Sequence, residues 1–190
     1  MGSNKAIFPL TALIIFYTLF LSSPVFAQSM STRPADLANN DQTEYSLPDI
    51  GTINPDNPLF AFKQLRDDIL LLLPQGKLDK IKHLIQLNDK YTVYADSSIR
   101  LSKSQQSIRL FESAQKFQSF TIDELYLASK EDKLNKTKEY TDLKLTALQS
   151  NIKQAVMIRD LVDELPVSEQ STFIQLLDKN ISLRKKLQQI

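Results

Sequence analysis

The sequence predicts an all-α protein, an elongated antiparallel helical bundle with coiled-coil-like packing and three to four long helices. Three observations carry that expectation. From Lys77 to Leu165 the chain has neither Gly nor Pro, a long interval for a sheet protein, whose hairpins rely on Gly, Asn-Gly or Pro turns. Apolar residues in that interval recur every three or four positions, the period of an amphipathic helix. The 190 residues include only three glycines, so few backbone positions are suited to positive φ.

Residues 1–27 read as a secretory signal peptide. Lys5 gives a positive start, Leu10 to Leu21 is a mostly apolar run without a charge, and Val25 and Ala27 form a small-residue cleavage site before Gln28. Cleavage after Ala27 implies a secreted or periplasmic protein. Left uncleaved, Ala6 to Ala27 is long enough to act as an N-terminal membrane anchor. Lys5 is the only charge in this stretch, so the mature chain is formally neutral.

Residues 28–55 are expected to form a flexible or extended tether. Gln28 to Tyr45 is polar and without hydrophobic period, so it buries too little to offset its ordering entropy. Ser46 to Pro55 contains two prolines and a glycine and should run extended, with Leu47, Ile50 and Ile53 able to lie on the helices.

Residues 56–190 are the expected helical-bundle domain. Asn57 suits an N-cap and Pro58 the first helical position, where a missing N–H costs nothing. Leu59, Phe62, Leu65, Ile69 and Leu72 form the first apolar stripe, and Pro74-Gln75-Gly76 should stop that helix. A second helix of roughly 40 residues, about 60 Å long, is expected from Lys77 to a boundary at Ser119 to Thr121. There Thr121-Ile122-Asp123-Glu124 fits a T-x-x-E capping box. A third helix follows, interrupted around Ser129 to Asn135 and resuming through Tyr140, Leu148 and Val162 to Pro166. Ser168 is the expected cap of the last helix, with Phe173, Ile174, Leu177, Ile181 and Leu187 as its buried stripe.

The stretch Ser46-Leu47-Pro48-Asp49, then Asn54-Pro55-Asp56-Asn57-Pro58-Leu59-Phe60-Ala61-Phe62-Lys63-Gln64-Leu65-Arg66-Asp67, resembles the opening of an uncharacterised family of exported bacterial helical domains. Its most specific part is P-D-x-P-L-[FY]-x-[FL]-K-x-L-R-D. The tail Leu161-Val162-Asp163-Glu164-Leu165-Pro166-Val167-Ser168 is similar to that family as well, and the likeness spans residues 46–190. It departs at Asn54, where Leu is usual. The resemblance implies extracytoplasmic placement and a helical fold, and it brings no chemistry. On physical grounds the motif is structural: Pro58 starts a helix, Leu59 and Phe62 dock on the bundle, and Lys63 with Asp67 forms a surface i,i+4 pair.

Composition narrows the function classes. Without clustered glycines there is no P-loop, dinucleotide loop or nucleophile elbow. With no Cys and one His, disulfide scaffolds, thiol nucleophiles, Cys-zinc sites and multi-His metal sites drop out. The 23 basic and 22 acidic residues leave no basic excess for nucleic acid. His83 has only Asp79 one turn away, too few ligands for a metal. Asp67 and Asp68 are adjacent and point about 100° apart on a helix, which separates them for paired-carboxylate chemistry. The Lys130-Glu131-Asp132-Lys133 run reads as a solvated face.

Leu145-Thr146-Ala147-Leu148-Gln149 matches once the LTxxQ pattern and so looks like small periplasmic helical chaperones and stress sensors. Asn135-Lys136-Thr137 and Asn180-Ile181-Ser182 are N-glycosylation sequons. Tyr91, Tyr94, Tyr126 and Tyr140 suit seam positions with the hydroxyl at the rim.

The expectation is thus an exported, non-enzymatic cell-envelope protein, structural or protein-interacting, with a protein partner or self-association. No catalytic, cofactor or metal site is expected. The alternative is a small periplasmic chaperone or envelope-stress sensor that binds unfolded client. An enzyme would need a cleft around Asp67, Asp160 or Glu164.

Overall fold

The computed structural model describes residues 45–48, 55, 57–73 and 75–190, all within one unit, Thr43–Ile190. The expected signal peptide, and residues 28–44, 49–54 of the expected tether, lie outside the described residues. The described chain is all-helical. Five α-helices and no strand are found among the described residues: α1 (Phe60–Leu72), α2 (Lys77–Arg100), α3 (Ser104–Ser129), α4 (Lys138–Glu164) and α5 (Val167–Gln189).

Five helices replace the expected three to four because the long second helix breaks at a turn that contains no glycine. Ser102 adopts φ 59°, the single positive-φ non-glycine residue among those described. Lys103 N–H donates to Ser98 O at 2.9 Å and Ser102 N–H to Ile99 O at 2.7 Å. This pair of bonds is a Schellman motif with Ser at the left-handed position where Gly is usual. The following helix then runs through the expected boundary at Ser119 to Thr121. Thr121 is no cap: its hydroxyl donates back to Phe117 O at 3.0 Å from the helix interior, and Glu124 pairs with Lys80 at 2.6 Å.

Other ends follow the local chemistry more closely. Asn57 Oδ1 accepts from Leu59 N–H at 2.9 Å in the turn ahead of α1, but the cap position is Leu59 and the helix starts at Phe60, two residues later than the expected Asn57 cap with Pro58 as first helical residue. Gln75 closes the other end by donating to Leu70 O at 2.5 Å. Gly76 belongs to the next helix as its N-cap, and a Cβ there would meet Asp79 Oδ2 at 2.9 Å. Thr137 caps α4 by accepting from Tyr140 N–H at 3.2 Å, after the turn expected around Ser129 to Asn135. At α5, Pro166 occupies the cap position, which places Ser168 inside the first turn instead of at the cap.

Pairings fix the helix directions. Lys80 meets Glu124 and Tyr91 meets Phe117, with ring centroids 5.1 Å apart, so α2 and α3 form an antiparallel hairpin. Asn88 reaches Ser150 at 2.6 Å and Gln154 reaches Thr92 at 2.9 Å, which runs α4 parallel to α2. Pro166 turns the chain, and α5 returns along α4 and beside α3, where Gln115 donates to Leu176 O at 2.6 Å.

The core is divided into two apolar clusters. One holds Leu84, Tyr94, Phe111, Ile158 and Phe173; the other holds Ile81, Ile122, Leu125, Tyr140 and Leu183. Polar side chains are buried among them on all four long helices: Asn88 and Thr92 on α2, Gln115 and Gln118 on α3, Ser150, Asn151 and Gln154 on α4, Asn180 on α5. The buried stripe of α5 is Phe173, Leu176, Asn180, Leu183 and Leu187, with Asn180 in the seam and Ile174 exposed, which corrects the expected set.

Candidate functional site

The first helix meets the bundle by a different face from the one its apolar period indicates. Leu59, Phe62, Leu65 and Leu72 are exposed, Phe62 at 68 % and Leu72 at 84 %. Phe60, Gln64, Asp67 and Leu71, spaced by one or two turns, lie on the inward face instead. Phe60 packs edge-on against Tyr94 with centroids 4.9 Å apart, and Leu71 joins the same cluster. Asp67 is 2 % exposed and accepts from Lys90 Nζ at 2.5 Å and from Arg66 at 2.9 Å. It is a buried clamp rather than the expected surface partner of Lys63. A buried carboxylate without a cation is far more costly than an exposed leucine, so the ionic clamp decides which side of α1 turns inward.

The surroundings of the clamp are tuned by burial. Desolvation lowers the Lys90 ammonium below the ordinary lysine range, opposed by its hydrogen bond to Asp67. Burial likewise lowers Lys63, which lies over the Tyr94 ring at 4.9 Å, with Lys90 and Arg66 repelling it further. Burial raises the phenols of Tyr91 and Tyr94, and the Asp67 charge adds to this. His83 sits half-buried in the same field, lowered chiefly by burial, with an unpartnered Nε2. Asp79 turns toward Gly76 at the start of α2. Among the described residues no three His, Cys, Asp or Glu side chains are grouped to hold a metal.

A second polar constellation lies inside the bundle. Asp89 accepts from the Tyr45 hydroxyl and from the Ser150 hydroxyl, and burial raises its carboxyl above the usual range while these two bonds oppose the shift. Ser150 accepts from Asn88, Gln154 donates to Thr92, and Asn180 donates to Gln154 Oε1 at 2.5 Å. Hydrogen bonds thus run from the lead-in residue Tyr45 across α2 and α4 to α5. Sequence reasoning passed over this network because each polar residue alone resembles a surface residue. The readable signal was the interval 173, 176, 180, 183, 187, which places Asn180 at a seam position.

The remaining candidates are separate. Asp160 is exposed and bound by its neighbour Arg159 at 2.8 Å; Glu164 and Asp68 are exposed. Glu131 pairs with Lys77. In the LTxxQ stretch, Thr146 donates to Asp142 O at 2.8 Å, Ala147 is buried and Leu145 exposed. In the second sequon Asn180 is fully buried, whereas Ser182 is exposed. Tyr91, Tyr94 and Tyr140 are buried as seam residues, but the hydroxyls of Tyr94 and Tyr140 lie inside instead of at the expected rim, that of Tyr140 donating to Leu125 O at 3.4 Å; Tyr126 is exposed under Lys130 at 4.6 Å.

No family model matches the chain, and neither a curated protein nor a solved structure matches it.

Proposed function

We propose that this is an exported, non-enzymatic interaction module of the cell envelope that engages a partner protein through the outer face of α1. The observation that carries the reading is the exposed row Leu59, Phe62, Leu65 and Leu72. Apolar residues at three-to-four spacing on one helix are the anchors used in helix-in-groove recognition. The Asp67–Lys90 clamp supports the same reading, because it holds α1 with the row outward. The two buried carboxylates, Asp67 and Asp89, have structural partners, which favours a scaffold over acid–base chemistry. The motif around Pro55 to Asp67 supports membership of the exported helical-domain family.

Export follows from the 1–27 leader, cleaved after Ala27, with an N-terminal anchor as the other arrangement. No helix among the described residues is long and apolar enough to cross a membrane. The finer architecture is an elongated antiparallel bundle with coiled-coil-like seams, supported by buried positions 81, 84, 88, 91, 95, 98 on α2 and 173, 176, 180, 183, 187 on α5.

A photo-crosslinking residue at Phe62, with one at exposed Arg159 as control, tests the interaction in the native envelope. A discrete adduct from position 62 and none from 159 is expected. An adduct of the chain with itself assigns self-association; equal adducts from both positions, or none, overturn the reading. The chaperone or stress-sensor alternative draws on the same exposed row. It predicts a smear of many clients from position 62 in place of a discrete band.

A further inference from the structure

Away from α1, a groove of about 370 Å³ opens between α3 and α5, at the small end of the volumes that hold ligands. Lys116, Ser119 and Phe120 line one wall. They lie three or four positions apart and so share one face of α3. Lys179, Ser182 and Lys186 line the other. Seven residues of helix separate those two lysines by about 10 Å.

The three lysines, like most of the described lysines, are in no ion pair with a described residue, so their ammonium groups are available to a ligand. Two features distinguish this groove from an ordinary solvated face. No carboxylate lines the groove, although Glu112, Asp123 and Asp178 are close in sequence. Gln115 also lines it and is fully buried, with its Nε2 committed to Leu176 O at 2.6 Å and its Oε1 without a hydrogen-bond partner. An unpaired buried acceptor is costly, and a ligand hydroxyl entering beside Gln115 would satisfy it.

We infer that the groove binds a phosphorylated polyol. The phosphate sits among the ammonium groups of Lys116, Lys179 and Lys186. Hydroxyls of the ligand donate to Gln115 Oε1 and exchange hydrogen bonds with Ser119 and Ser182. Phe120, half-exposed beneath Lys116 at 5.7 Å, packs against the carbon skeleton. The same chemistry is offered by a phospholipid headgroup and by a soluble sugar or glycerol phosphate.

The test uses the full chain, with glycerol 3-phosphate titrated against NaCl of equal ionic strength and followed by amide chemical shifts. Saturable shifts are expected at the Gln115 side-chain amide and at residues 116–120 and 179–186. K116Q/K179Q/K186Q, three exposed changes whose fold is checked by an unchanged melting curve, should weaken binding at least about tenfold. A second arm compares sedimentation with phosphatidylglycerol and phosphatidylcholine vesicles. Vesicle binding that is specific to phosphatidylglycerol and lost in the triple variant assigns the lipid source; glycerol 3-phosphate binding without it assigns the soluble one. Shifts no larger than those with NaCl together with no such vesicle binding, or a triple variant that binds like the wild type, would overturn the site.

Discussion

Asn180 donates its side-chain amide to Gln154 Oε1 at 2.5 Å, and both residues are fully buried between α4 and α5. The bond closes a polar layer set among the two apolar clusters. In a seam of otherwise apolar residues, one polar level disfavours slipped registers, because any shift sets an amide against a leucine. Asn180→Leu leaves Gln154 Oε1 unpaired and should cost about 1–3 kcal/mol in urea unfolding. Asn180→Leu with Gln154→Leu should cost clearly less than the sum of the two single changes. Strict additivity would show that the pair is not coupled.

Asp67 holds α1 through Lys90, so Asp67→Asn should free that helix while sparing the rest. The loss is about 2 kcal/mol, because Lys90 keeps partial access to water. Hydrogen exchange should show lost protection across Phe60–Leu72 and unchanged protection across α2 to α5. Uniform loss through all five helices would mean that α1 is integral to the core.

Burial raises the Asp89 carboxyl, and this sets the sign of a pH effect. The folded state binds the proton more tightly than the unfolded state, so stability falls as pH rises from the ordinary carboxylate value through the raised one. Asp89→Asn removes that slope. Denaturation between about pH 4 and pH 8 should find the variant gaining on the wild type as pH rises. A constant difference would contradict the assignment. His83 is lowered by burial and acts in the opposite sense: wild-type stability should fall relative to His83→Gln as pH drops through the ordinary histidine value of 6.5.

Ser102 stands in the left-handed region at φ 59°. Ser102→Gly should raise stability by about 1 kcal/mol, since Gly meets no Cβ clash there. Ser102→Val should lower it. A neutral or destabilising glycine, read by thermal melting, would show that the turn carries little strain.

The places where reading the sequence succeeded and failed have physical causes. The gap before Tyr140 and the turn at Pro166 were legible because turns and prolines act locally, whereas α1 starts at Phe60, two residues past the expected Pro58. The turn at Ser102 was not, because its conformation is held by carbonyls of the preceding helix and Ser carries no φ preference of its own to reveal it. Periodicity found the stripe of α1 but assigned it to the core. Which side turns inward depends on Lys90, twenty-three residues beyond Asp67, and on Tyr94. The polar layer escaped for the same reason: Asn88, Ser150 and Asn180 acquire meaning only when the fold brings them together.

Hydroxyl-radical footprinting of α1, on purified protein and in the native envelope, tests the central claim most directly. In purified protein Phe62 and Leu65 should be oxidised readily and Phe60 protected, and in the envelope labelling of Phe62 and Leu65 should fall while exposed Arg159 and Leu145 stay unchanged. Equal labelling of Phe60 and Phe62, or a Phe62 signal as strong in the envelope as in solution, would contradict an outward face that engages a partner.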